Sequence, residues 1–314
     1  MNLSLGIKSD PVQYRYSYEW LFDLCAELNI SFVQLGSFFE LYQLDMDYFY
    51  RLGELAESRG VRLKSCFTAH RELGGFFTGD ASWEKVARRN YERFIDVAAV
   101  LGADYVGSNP GAIYRDMPGS KAAGIECYIA NMKELMHYAA EKGIKALTIE
   151  PMSCLAEPPS TPQEITGMMG ELSSYHKLNK GTVPVYLCGD VSHGVADEHG
   201  RVVHEALDLF ALEIPWMAEF HFKNTDARFN STFGFSLAEQ ERGHIGLGAV
   251  ASIIKQKRAL WPVEDVVGYL EIGGPKLGRD YSDPLLRKAL QDSIEALQGV
   301  FQTHGLVQSA LADR

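Results

Sequence analysis

Eight short apolar runs, each followed by a longer stretch with helical spacing, constrain this chain more than any other feature of its sequence. The runs cover residues 3–8, 30–35, 61–67, 103–108, 144–150, 183–188, 218–222 and 267–272. Several are nearly continuous in apolar residues, as in Val183-Pro184-Val185-Tyr186-Leu187-Cys188. That is the pattern of parallel strands covered on both faces. The segments between them carry helix signals. Ser17 precedes a helix over 18–28, Ser82 precedes one over 83–101, and Lys142-Gly143 closes one over 125–141. Thr161-Pro162-Gln163-Glu164 supplies a cap, a proline at the first helical position and an early acidic charge. The last helix is expected from Asp283-Pro284 to Phe301. Strand then helix, eight times over, predicts a single (β/α)8 TIM barrel. A doubly wound open sheet is the alternative, but no Gly-x-Gly-x-x-Gly or Walker-type loop follows an early strand. The expected organisation is one catalytic barrel over 1–304 and a C-terminal tail over 305–314.

Composition narrows the function classes. The chain has 314 residues, 46% of them hydrophobic, enough for a large core, and a formal net charge of -11. An acidic balance disfavours broad attraction to nucleic acid or to an anionic membrane, so neither is expected as a partner. No apolar stretch approaches the ~18 residues of a transmembrane helix. Met1-Asn2-Leu3-Ser4-Leu5-Gly6-Ile7-Lys8 lacks a basic region before an apolar one, so no secretory signal is read there. Five widely spaced cysteines (Cys25, Cys66, Cys127, Cys154, Cys188) form no C-x-x-C pair and read as reduced, buried thiols. A cytoplasmic location is expected.

In a barrel the strands end at the active site, so their last residues are the candidates. The third run leads to His70 and the fourth to Asn109. The fifth ends Ile149-Glu150-Pro151, and the sixth Gly189-Asp190-Val191-Ser192-His193. The seventh reads His221-Phe222-Lys223-Asn224 and the eighth Leu270-Glu271-Ile272-Gly273-Gly274. A charge continuing directly from an apolar strand is costly unless paired. Two Glu, one Asp and one His explain one another if a cation lies between them, and an oxygen-rich set with one nitrogen suits Mn²⁺, Mg²⁺ or Co²⁺. The plainer alternatives are that Asp190 caps a turn and that Glu271 pairs with Lys276 or Arg279.

At these residues the chain resembles the xylose-isomerase-like TIM-barrel superfamily, from Gly6 to about Leu297. That superfamily holds tagatose/psicose-type ketose 3-epimerases, L-ribulose-phosphate epimerases, hydroxypyruvate isomerases, inosose dehydratases and endonuclease IV-type repair enzymes. The resemblance implies that Glu150, Asp190, His221 and Glu271 bind one divalent ion, Mn²⁺ first, and that Glu150 and Glu271 also carry protons. It further implies substrate contacts from His193, Glu157 and an arginine after the seventh strand. Arg228 is the nearest, and Arg242 is its rival because the segment after His221 is longer than in compact epimerases. His70 and Asn109 complete the candidate substrate-binding set.

Epimerisation beside a carbonyl needs one carboxyl to remove a weakly acidic proton and another to return it on the opposite face. Glu150 and Glu271, on the fifth and eighth strands, suit those roles. The resemblance makes a ketose or ketose-phosphate 3-epimerase acting through a cis-enediolate the expected activity. Aldose–ketose isomerisation of the hydroxypyruvate type uses the same parts, and a cyclic-polyol dehydratase is a further alternative. The loop Gly273-Gly274-Pro275-Lys276-Leu277-Gly278-Arg279 keeps a phosphorylated substrate open. An endonuclease IV-type nuclease would want further histidines, and Asn109 and Glu241-Arg242-Gly243-His244 depart from that pattern. A small-molecule substrate and a homo-oligomer, dimer or tetramer, are the expected partners.

Overall fold

The structure, a computed structural model, describes residues 1–69 and 72–307. His70 and the tail from residue 308 lie outside them. Eight parallel strands, β1 (Asn2–Lys8), β2 (Phe32–Gly36), β3 (Arg62–Thr68), β4 (Tyr105–Ser108), β5 (Ala146–Ile149), β6 (Val185–Asp190), β9 (Met217–Phe222) and β10 (Asp265–Leu270), close a barrel in the order β1-β10-β9-β6-β5-β4-β3-β2. This is the (β/α)8 TIM barrel that the alternation predicts. An antiparallel hairpin, β7 (Val195–Ala196) with β8 (Val202–His204), follows β6 and was not legible in the pattern. Two residues facing two or three make too short a run for alternation to register.

By compactness the chain falls into two units, one of Met1–Leu35, Glu54–Arg62 and the part from Gly189 on, the other of Gly36–Gly53 and Leu63–Cys188. In the first, β1 and β10 run in register, Gly6 beside Tyr269 and Ile7 beside Leu270. Gly6 is required there, because a Cβ would lie 2.5 Å from the Tyr269 ring. β10 pairs with β9 so that Tyr269 stands beside His221. Side chains alternate along a strand, so His221 and Lys223 share one face and Tyr269 and Glu271 share one face. The opposite face of β9 carries Phe220 and Phe222, which pack on Phe210, Trp261 and Phe301. In the second unit, Phe76 and Phe77 pack against Tyr128 with ring centroids 5.9 and 5.8 Å apart.

Helix starts followed local chemistry with two corrections. Ser17 caps α1 (Tyr18–Glu27) by accepting from the Trp20 amide, and Thr161 caps α5 (Pro162–Leu178) by accepting from the Glu164 amide, as expected. The cap of α3 (Ala81–Val100) is Asp80 rather than Ser82, because its carboxylate accepts from both the Ser82 and Trp83 amides. α4 (Lys121–Glu141) starts before the expected residue 125. Gly124 lies within it, where a Cβ would lie 2.6 Å from Phe77, so a glycine lets the helix approach that ring. The Asp283–Leu285 stretch is a 3-10 turn leading into α9 (Leu286–Thr303). Leu306 remains buried, its amide bonded to Phe301 O. No helix of the described residues is long and apolar enough to cross a membrane.

Candidate metal centre

Asp190 ends β6 and is buried. Its Oδ1 accepts from the Ser192 amide at 2.7 Å and from Ser192 Oγ at 2.8 Å, which is the turn-capping role read from the sequence. That leaves Oδ2 pointing the other way, 2.8 Å from Lys223 Nζ and 3.7 Å from His193 Nε2. His221, on β9, is wholly buried. Its Nε2 lies 2.8 Å from Gln34 Oε1. A carbonyl oxygen can only accept, so that nitrogen carries the proton, and Nδ1 is the ring atom that could ligate an ion. Nδ1 faces Glu271 Oε2 at 3.4 Å and Asp190 Oδ2 at 3.9 Å.

Glu271 directly follows β10, and its amide still bonds Phe222 O, so the backbone continues along the strand line. Its carboxylate does not pair with Lys276 or Arg279. Lys8, the last residue of β1, takes Oε1 at 2.5 Å, and Lys223 takes Oε2 at 2.9 Å. Lys8 also reaches Asp10 Oδ2 at 2.7 Å. Glu150 stands just past β5, with its amide bonded to Ser108 O at 3.2 Å. One ligand atom from each of Glu150, Asp190, His221 and Glu271 lies within 4.8 Å of every other. The four residues read from the strand ends therefore form a candidate metal site.

The donor set fits a divalent cation on charge as well as geometry. Glu150, Asp190 and Glu271 bring three carboxylates together, and Lys8 and Lys223 neutralise only part of that charge by pairing with Asp190 and Glu271. Asp190 Oδ2 is buried, and His221 Nδ1 lies 3.9 Å from it. These are features that a cation with oxygen and imidazole preference would satisfy.

Burial works against the ionised form of Asp190, but the charges of His193, Lys223 and His221 prevail and hold its carboxyl below the usual range. Burial likewise opposes ionisation of Glu271, and Lys223, Lys8 and His221 hold it well below its ordinary value. Both carboxyls thus bind protons less readily when folded than when unfolded. Their stabilising contribution is complete above the unfolded carboxylate range, about pH 4, and is lost as pH falls through their lower folded values. In EDTA the melting temperature of the wild type should therefore fall more steeply than that of Asp190→Asn once pH drops below about 4. Parallel pH profiles of the two proteins would refute this assignment.

The remaining candidates are placed as follows. His193 is buried beside Asp190. Asn109 is buried, and its Nδ2 lies 3.3 Å from Met152 Sδ. Glu157 is half-buried, its amide bonded to Cys154 O. Arg228 is exposed, and its amide donates to Asp226 Oδ1. Arg242 is exposed and stacks over the Phe233 ring, 4.2 Å from its centroid. His70 lies outside the described residues. The sequence reading missed Lys8, Gln34 and Lys223. Each is a polar residue near the end of an apolar strand, the same signal that marked the four ligand candidates. Burial pushes the Cys25 thiol up to about 12, in keeping with an inert side chain.

The sequence profile of the xylose isomerase-like TIM barrels matches residues 22–263. The chain belongs to that family. No curated protein matches it in sequence. Among solved structures, a presumed xylose isomerase from Rhodospirillum rubrum superposes with a TM-score of 0.74 at 18% identity, covering 95% of this chain and 99% of the other. D-Psicose 3-epimerase from Clostridium cellulolyticum, solved with D-tagatose, gives 0.68 at 13% identity, covering 96% and 99%. The IOLI protein, solved with a bound zinc atom, gives 0.65 at 15% identity, covering 97% and 99%. At these identities the likeness to each structure establishes the fold. The family is one of enzymes that includes isomerases and epimerases, which sets the frame for the reading below.

Proposed function

We propose that this family member is a metal-dependent 3-epimerase of a ketose or ketose phosphate. The observation that carries the reading is the convergence of two glutamates, an aspartate and a histidine within 4.8 Å. A bound divalent ion, Mn²⁺ in first place with Mg²⁺ and Co²⁺ as alternatives, would stabilise negative charge developing on the substrate's oxygens. Glu150, Asp190, His221 and Glu271 would hold that ion. Ser192 fixes Asp190 and Gln34 fixes His221 in ligand orientation. Glu150 and Glu271 are the proton carriers, one removing the proton beside the carbonyl and the other returning it on the opposite face. Before the ion binds, Lys8 and Lys223 keep Glu271 ionised. His193, Glu157, Arg228, His70 and Asn109 are assigned to the substrate, with Arg242 as the rival of Arg228.

The epimerase that resembles this chain in fold supports a sugar substrate. Aldose–ketose isomerisation is the second reading, and the R. rubrum protein supports it. A soluble small-molecule enzyme of the cytoplasm, assembled as a homo-oligomer, accords with either. The test is incubation of free and phosphorylated four- to six-carbon ketoses with protein, Mn²⁺ and D₂O, read by NMR. Deuterium at the third carbon with inversion is the expected result. Proton movement between the first and second carbons would replace epimerase by isomerase. No exchange with any member of the panel would reject both.

A further inference from the structure

Lys223 holds the two oxygens that the proposed ion needs. Its Nζ is 2.8 Å from Asp190 Oδ2 and 2.9 Å from Glu271 Oε2. These are also the two oxygens that face His221 Nδ1. A divalent ion binds carboxylate oxygen at about 2.0–2.2 Å. Coordinated by the same pair, it would lie within about 4 Å of the ammonium, where two positive charges repel at low effective dielectric. The Lys223 side chain is 12% exposed and Asp190 is fully buried, so water screens this repulsion little. Lys8 is arranged differently. It takes the other Glu271 oxygen, Oε1, and shares its charge with Asp10, so it remains compatible with an ion on Oε2.

We propose that Lys223 is a positioning residue whose ammonium exchanges with the metal. It draws Asp190 and Glu271 together as an internal counter-cation, and it swings away on its flexible four-carbon stem when the ion takes their oxygens. The pair of acids is then held in ligand geometry before the ion arrives, and the ion binds less tightly than the acids alone would bind it. This inference rests on the metal reading above.

Calorimetric titration with Mn²⁺ tests it, using the wild type, Lys223→Met and Lys8→Met, with melting temperatures taken in EDTA and in Mn²⁺. Lys223→Met should bind Mn²⁺ at least ~10-fold more tightly than the wild type, a change of about 1.4 kcal/mol. Its melting temperature should fall in EDTA and recover in Mn²⁺, because the two acids lose the ammonium they share. Lys8→Met should alter affinity much less. If Lys223→Met folds poorly, Lys223→Gln should still bind more tightly than the wild type. Equal or weaker binding by the Lys223 variants would overturn the exchange and make Lys223 a supporting partner alongside the ion. An equal gain in Lys8→Met would also overturn it, leaving only general charge repulsion. Absence of Mn²⁺ binding by the wild type would instead reject the metal reading and this proposal with it.

Discussion

Glu150→Gln and Glu271→Gln should each lower turnover by at least the ~10²–10⁴-fold that accompanies loss of a general acid or base. Glutamine keeps the size and one oxygen of glutamate but cannot carry a titratable proton. The change therefore removes the chemistry while leaving the strand end in place. An amide is also a weaker, uncharged ligand, so the comparison must be made at saturating Mn²⁺. The two variants should differ in a further respect. If one glutamate only abstracts in a given direction, loss of its partner should leave substrate–solvent proton exchange running with little epimer formed. NMR in D₂O separates exchange from net conversion. Near-normal epimerisation by both variants at saturating metal would remove the two-face mechanism and return the glutamates to a structural role.

Removal of the metal should have an effect of similar size. After exhaustive EDTA treatment activity should disappear, and it should return on titration with Mn²⁺ or Co²⁺ to one ion per chain. His221→Ala deletes the single nitrogen donor of the group and should reduce metal occupancy strongly, as measured by metal analysis of the folded variant. Gln34→Leu is the finer probe. It keeps the imidazole but removes the acceptor that fixes which ring nitrogen bears the proton. Loss of such an outer partner typically costs ~10–100-fold in metal affinity, so its effect should fall between wild type and His221→Ala. Full activity in a rigorously metal-free preparation would contradict the proposal at its base.

The barrel was readable in the sequence because its signals are local. Apolar runs, the helical periods between them, and caps such as Ser17 and Thr161 lie within a few residues of what they control. The four ligand candidates were readable for a related reason. Glu150, Asp190, His221 and Glu271 each stand at the end of, or just beyond, an apolar run, where a polar side chain demands a partner. Local reading failed where two caps competed, as at Asp80 and Ser82, and where packing decided, as at Gly124 against Phe77.

The partners themselves were decided by the tertiary structure. Lys8 ends the first strand, yet it meets Glu271 across 263 positions of sequence. Gln34 meets His221 across 187 positions, and Lys223 meets Glu271 across 48. The expected pairing of Glu271 with Lys276 or Arg279 was the short-range choice. Closure of β1 on β10, and the register of β10 on β9, instead bring two buried ammonium groups to that carboxylate. Which residues carry charge at the strand ends is written in the chain. Which charge faces which is set by strand register, because neighbouring strands are joined through space by hydrogen bonds that no local pattern encodes.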